Sequence, residues 1–199
     1  MTRLFVLIFL NLQCFALSAI DYSGIYAFSK GLNKPNGSLC VFHIKSDTVF
    51  YYLSNMTGAP DFNLTNMKGF LKVDSSNASY KKDSCGILLN FKPAVISVSQ
   101  SKGCKSDFMV EGDYKKSGNS LKRPNTWMTE YTEKGGVILV DSSVVYFAPH
   151  VEAKALFSLK KETAIKILDE VNGFYLIESP KQKNEFHWTL KKNVLLNKK

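Results

Sequence analysis

The side chains best suited to nucleophilic, acid–base or metal chemistry are three histidines, His43, His150 and His187, and three cysteines beyond residue 19, Cys40, Cys85 and Cys104. Their spacing argues against such use. No His-Glu-x-x-His places two imidazoles one helical turn apart, and no Cys-x-x-Cys or nearby histidine offers a zinc site. There is no Gly-x-Ser-x-Gly, no glycine-rich phosphate loop and no thiol set beside a histidine motif. Asp169-Glu170 is an acidic pair, but adjacent strand residues point to opposite faces. A glycosidase needs two carboxylates facing across a cleft, about 5–9.5 Å apart. The expectation is a protein that is not an enzyme and uses no cofactor and no metal.

The cysteines read as structure. Cys85 and Cys104 bracket two apolar runs joined at Lys92-Pro93. A chain bent there brings both ends together, so a disulfide across the open end of a hairpin is expected in an oxidising compartment. Cys40 shares a strand face with Phe42 and Ile44. It reads as a buried inert thiol, with intermolecular pairing as the alternative.

The richest aromatic stretch is residues 143–196. Short apolar runs alternate there with turn residues: Val144-Val145-Tyr146-Phe147 before Ala148-Pro149, residues 155–159 before Lys160-Lys161-Glu162, residues 164–168 before Asn172-Gly173, Phe174-Tyr175-Leu176-Ile177 before Ser179-Pro180, and residues 186–190. Such runs read as strands, and Asn-Gly supplies the positive φ of a tight hairpin. Residues 163–171 also allow a helix, with Ile165, Leu168 and Val171 three apart and Gly173 as a stop. The neighbouring strands favour strand.

This stretch resembles the bacterial SH3 (SH3b) domain. The matching residues are Val145-Tyr146, Ala148-Pro149, Leu159-Lys160-Lys161-Glu162-Thr163, Asn172-Gly173-Phe174-Tyr175, Trp188 and Lys191-Lys192-Asn193-Val194. The resemblance implies a small five-stranded SH3-like barrel ending in a polar helical turn, with a binding role and no chemistry. Alternation places Phe174 and Leu176 in the core. Tyr146, Tyr175 and Trp188 are the candidate ligand-binding residues, facing a shared groove. The alternative for Trp188 is a plug in the core.

The elements upstream complete the chain. Residues 1–19 carry Arg3, an apolar stretch and the small residues Ala16, Ser18 and Ala19, which is a secretory signal peptide. Gln13 before Cys14 is not small, which argues against a lipoprotein signal. Residues 20–116 hold about eight short strands at a spacing that suggests an antiparallel barrel or sandwich. Gly24-Ile25-Tyr26 opens this body and Gly112-Asp113-Tyr114 closes it, so the first and last strands are expected to pair. The body resembles small exported bacterial β-domains, among them lysozyme inhibitors of similar layout. Residues 117–134 read as a linker, with Trp127 and Tyr131 packed on a domain, and residues 135–199 as the SH3b-like domain.

The chain is basic, with 26 Lys and Arg against 17 Asp and Glu. Residues 117–199 are expected to hold most of the excess. Lys160, Lys161, Lys181, Lys183, Lys191, Lys192, Lys198 and Lys199 would let a basic exported module dock on anionic polymer or acidic protein. The alternative is a solvated surface that keeps the protein soluble. Nucleic acid is not expected. No stretch after the signal could span a membrane as a helix. Four Asn-x-Ser/Thr triplets begin at Asn36, Asn55, Asn63 and Asn77. They matter only in a eukaryotic secretory route, and the SH3b resemblance argues for a bacterium. The expectation is a periplasmic or secreted all-β binding protein of the cell envelope, whose partner is cell-wall polymer or an envelope or host protein. The alternative is a proteinaceous inhibitor of a hydrolase such as lysozyme.

Overall fold

The computed structural model describes residues 20–45, 47–60, 62–104, 110–119, 128, 133–181 and 184–197. Residues 1–19, read as a signal peptide, and Trp127 and Tyr131 lie outside the described residues. The chain is all-β, as expected. The first unit contains β1 (Gly24–Ser29), β2 (Asn36–Lys45), β3 (Thr48–Met56), β4 (Leu64–Lys72), β5 (Asn77–Lys82), β6 (Cys85–Lys92), β7 (Val95–Gln100) and β8 (Gly112–Gly118). The second contains β9 (Lys134–Ile138), β10 (Ser142–Tyr146), β11 (Ala155–Lys160), β12 (Ala164–Val171), β13 (Phe174–Glu178), β14 (Phe186–Leu190) and β15 (Val194–Leu196). A 3₁₀ turn, Lys191–Asn193, joins β14 to β15. Residues 164–171 are strand rather than helix.

The first eight strands pair antiparallel in the order β4-β3-β2-β1-β8-β7-β6-β5. Read around the circle, this is an up-and-down meander whose ends, β4 and β5, meet at a two-way backbone pairing of Asp74 with Asn77. The sheet is therefore a nearly closed barrel. The first and last strands pair as expected, though in a shifted register. Ile25, Tyr26 and Ala27 oppose Gly118, Lys116 and Lys115, with a bulge between Ile25 and Tyr26. The Gly112-Asp113-Tyr114 triplet pairs with β7 instead.

Alternation along the strands fills the barrel. Leu39 and Val41, Val49, Tyr51 and Leu53, Leu71, Leu89 and Phe91, and Ile96 and Val98 all point inward. The two Gly-x-Tyr triplets build matching plugs. Tyr26 and Tyr114 are fully buried, and each hydroxyl donates to the carbonyl four residues upstream, at 2.9 Å to Tyr22 and 3.0 Å to Val110. The ring of Phe28 leaves no room above residue 112: a Cβ there would lie 2.3 Å from it, so only glycine fits. Cys85 and Cys104 are disulfide-bonded across the open end of the β6–β7 hairpin, and Cys40 is free and buried.

The second sheet runs β11-β10-β14-β13-β12-β9-β15. Five of these strands are those read from the aromatic stretch. β9 and β15 add two more, and they pair with each other. The five-stranded barrel implied by resemblance is thus a seven-stranded sheet. Ile138, Val145, Leu159, Ile165, Ile167, Tyr175 and Ile177 form its own core.

Two expectations follow. The closed loop between the cysteines should contribute about 3 kcal/mol on the chain-entropy estimate. Reduction should lower the denaturant midpoint accordingly, and a non-reduced digest should contain the Cys85–Cys104 peptide pair. The second concerns the buried phenols. Burial pushes Tyr26 up to about 12 and raises Tyr51 and Tyr114 as well. Their folded pKa values exceed the unfolded value near 10, so their contribution is intact below that pH and lost above it. Alkaline titration should show these phenolates appearing together with unfolding rather than before it.

Candidate functional site

The three aromatics expected to share a groove do not do so. Tyr146 and Trp188 face each other across β10 and β14. Both belong to a cluster that spans the two units, and Trp188 is fully buried in it. Its ring is edge-on to Phe42 and Phe50, with centroids 6.4 and 5.6 Å away, and stacked on Tyr52 at 6.4 Å. Those three side chains project from the outer wall of the barrel. The Trp188 Nε1 is buried with no hydrogen-bond partner. Tyr175 points the other way, into the second unit's own core, and is 4% exposed. The cause is strand alternation: Phe174 and Leu176 face the barrel, so Tyr175 and Ile177 cannot. Phe174 and Leu176 are core, as expected, but it is the core between the units.

Sequence alternation identified these faces without showing what covers the outer one. Cys40, Phe42 and Ile44 of β2, with Phe50 and Tyr52 of β3, form the barrel's side of the contact. β3 is consequently buried on both faces from Val49 to Asn55. The connection between β10 and β11 lies on the barrel too. Phe147 is edge-on to Phe42, His150 to Phe70, and Lys45 pairs with Glu152 at 2.7 Å.

A bulge in β12 sets the polar part of this contact. Ile167 opposes Ile177 and Asp169 opposes Leu176, which leaves Leu168 as the extra residue. An extra residue re-aims the side chains after it. Leu168 joins the inter-unit cluster, and Asp169 also reaches the barrel. There its carboxylate accepts from the Tyr52 hydroxyl at 2.6 Å and from Lys68 Nζ at 2.7 and 2.8 Å. Lys68 also lies 5.9 Å from the Tyr52 ring centroid. Burial, and then the Asp169 charge, raise the Tyr52 pKa far above its ordinary value. Glu170 bonds Lys191 on another side. The acidic pair therefore acts as two separate anchors.

The histidines are dispersed. His43 donates its backbone N–H to Ser23 Oγ, with its Nδ1 3.5 Å from Asp21. His150 sits 3.6 Å from Glu152. His187 is edge-on to Phe157 with centroids 5.8 Å apart, and its Nε2 lies 3.3 Å from Glu185. Burial lowers its pKa, partly opposed by Glu185. Among the described residues no group of three or more His, Cys, Asp or Glu could hold a metal ion. Burial drives the Cys40 thiol well above its ordinary pKa, which suppresses the reactive thiolate.

One partly exposed aromatic group was missed in the sequence. The half-buried Phe157 ring carries His187 at its side and Lys181 Nζ 5.0 Å from its centroid. The signal was present: if Trp188 faces one side of β14, His187 faces the other. The basic excess is shared by both halves rather than gathered near the C-terminus. Residues 1–116 hold 13 basic and 8 acidic residues, and residues 117–199 hold 13 and 9.

The geometry defines an all-β protein of two units joined through a common aromatic core. No protein-family model matches the chain, and no curated protein or solved structure matches it.

The position of Trp188 has a direct consequence. Trp188→Ala should cost about 3–5 kcal/mol and lower the melting of both units together, since both line the cavity it leaves. Trp188→Phe should cost less, because it retains a ring and removes the unpartnered N–H.

Proposed function

We propose that this chain is an exported, non-enzymatic binding protein of the bacterial cell envelope, and that its SH3b-like second unit docks on cell-wall polymer. The disulfide supports export, since such bonds persist in oxidising compartments. Among the described residues no helix is long and apolar enough to cross a membrane.

The observation that carries the reading is the Phe157 platform. A half-buried ring flanked by a cation and an imidazole offers an apolar plate for a sugar face and a positive charge for an acidic substituent. It lies on edge strand β11, away from the face that the barrel covers. Tyr146 and Trp188 act here as the support that fixes the second unit.

Retention of the full chain on purified peptidoglycan at physiological salt tests this. The wild-type protein should be retained, and Phe157→Ala with Lys181→Ala should lower retention at least tenfold at a temperature where the variant is still folded, because Phe157 also packs against the second unit's core. No retention of the wild type, or equal retention of the variant, would sink the proposal.

A further inference from the structure

The barrel's antiparallel order places the β1–β2, β3–β4, β5–β6 and β7–β8 connections at one end. The disulfide is there, while the Lys45–Glu152 contact with the second unit is at the opposite end. Among the described residues, two of these connections carry large apolar side chains pointing into solvent. Leu32, in the β1–β2 turn, is 91% exposed. Phe62 and Leu64, at the end of the β3–β4 connection, are 46% and 50% exposed.

These side chains are held in place rather than dangling. The β1–β2 turn is closed by Lys30 N–H to the Pro35 carbonyl at 3.0 Å and Lys34 N–H to the Gly31 carbonyl at 3.2 Å, which leaves Leu32 at the apex. The Ala59 N–H bonds the Asn33 carbonyl at 2.8 Å and ties the two connections together. Their backbones meet at Gly58, where a Cβ would lie 2.5 Å from the Asn33 oxygen. Phe62 itself has φ +45°. That is an unfavourable conformation for a bulky residue, and it persists because the braced loop imposes it. The fold thus maintains a strained aromatic in solvent beside a protruding leucine.

Among the described residues the charge around the tip is positive, with the acidic Asp61 preceding Phe62 in the sequence. Lys30 and Lys34 flank Leu32 in the same turn, and both are exposed. Lys81 and Lys102 lie at the same end of the barrel, against Asp83 and Glu111 among the described residues. The Glu111 carboxylate is engaged by the Gln100 N–H at 3.0 Å.

We propose that this tip docks on an anionic lipid surface, with Leu32, Phe62 and Leu64 entering the headgroup–acyl boundary and Lys30 and Lys34 meeting the phosphates. The shape selects the partner. The apolar side chains protrude from braced turns and need a surface that yields around them, as a bilayer interface does. Lysines beside inserted apolar residues then place their stems along the apolar layer and their ammonium groups at the headgroups. The platform at Phe157 is on the other unit, so the protein could hold a lipid surface and a polymer at once.

Vesicle co-sedimentation of the full chain tests the proposal. The probes are phosphatidylcholine vesicles and vesicles of phosphatidylcholine and phosphatidylglycerol in a three-to-one mixture. The wild type should sediment with the mixed vesicles and at least tenfold more weakly with the neutral ones. L32S/F62S and K30E/K34E should each lower partitioning about tenfold or more, with unchanged melting temperatures because every substituted side chain is exposed. Leu88→Ser removes an apolar side chain of similar exposure from the barrel wall, 47%, and should sediment like the wild type. Three results would overturn the proposal: no sedimentation of the wild type, equal sedimentation with both vesicles, or wild-type sedimentation of L32S/F62S. Peptidoglycan retention of L32S/F62S, measured in parallel, should be unchanged, so failure here is distinguishable from failure at the Phe157 platform.

Discussion

Trp188 packed against Phe42, Phe50 and Tyr52 is the contact on which the rest of the molecule depends. It joins the outer wall of one sheet to the face of another, and it requires both sides of β3 and of β13 to be buried. Aromatic rings bring large apolar area and preferred edge-on geometry to such a contact. The polar anchors follow from it. Asp169 reaches Tyr52 and Lys68 because a bulge turns it toward the barrel, and a buried phenol needs an acceptor. Two units with separate cores are thereby tied through a third core that belongs to both.

Much of the fold was legible because strands alternate. The opening strand was read from Gly24-Ile25-Tyr26, and Cys85 with Cys104 was read from the bend at Lys92-Pro93. Alternation also set Phe174 and Leu176 apart from Tyr175. It could not reveal what lies against a face. A strand reading Val-Phe-Tyr-Tyr-Leu at residues 49–53 carries bulky residues at every position. Such a run is the pattern of a strand covered on both sides, and with Leu39-Cys40-Val41-Phe42 of β2 it hinted that the barrel's outer wall has a partner. The bulge at Leu168 left no mark in the apolar pattern, so Asp169 was read with Glu170 as a simple alternating pair.

The candidate site moved for the same reason. Aromatic residues in a small β-unit suggest a groove when that unit is considered alone. Here the barrel occupies the Trp188 face and Tyr175 fills the second core. What remains outside includes the Phe157 edge of the second sheet and the braced turns at the disulfide end of the barrel. The joint between the units fixes these two surfaces in one body.

The central claim is that the two units open as one, and hydrogen exchange followed by mass spectrometry measures this most directly. Peptides covering β3, β13 and β14 should exchange with the same opening free energy, equal to that of global unfolding. Faster exchange of β13 and β14 by a separate, lower-energy opening, with β3 still fully protected, would contradict a shared core built on Trp188.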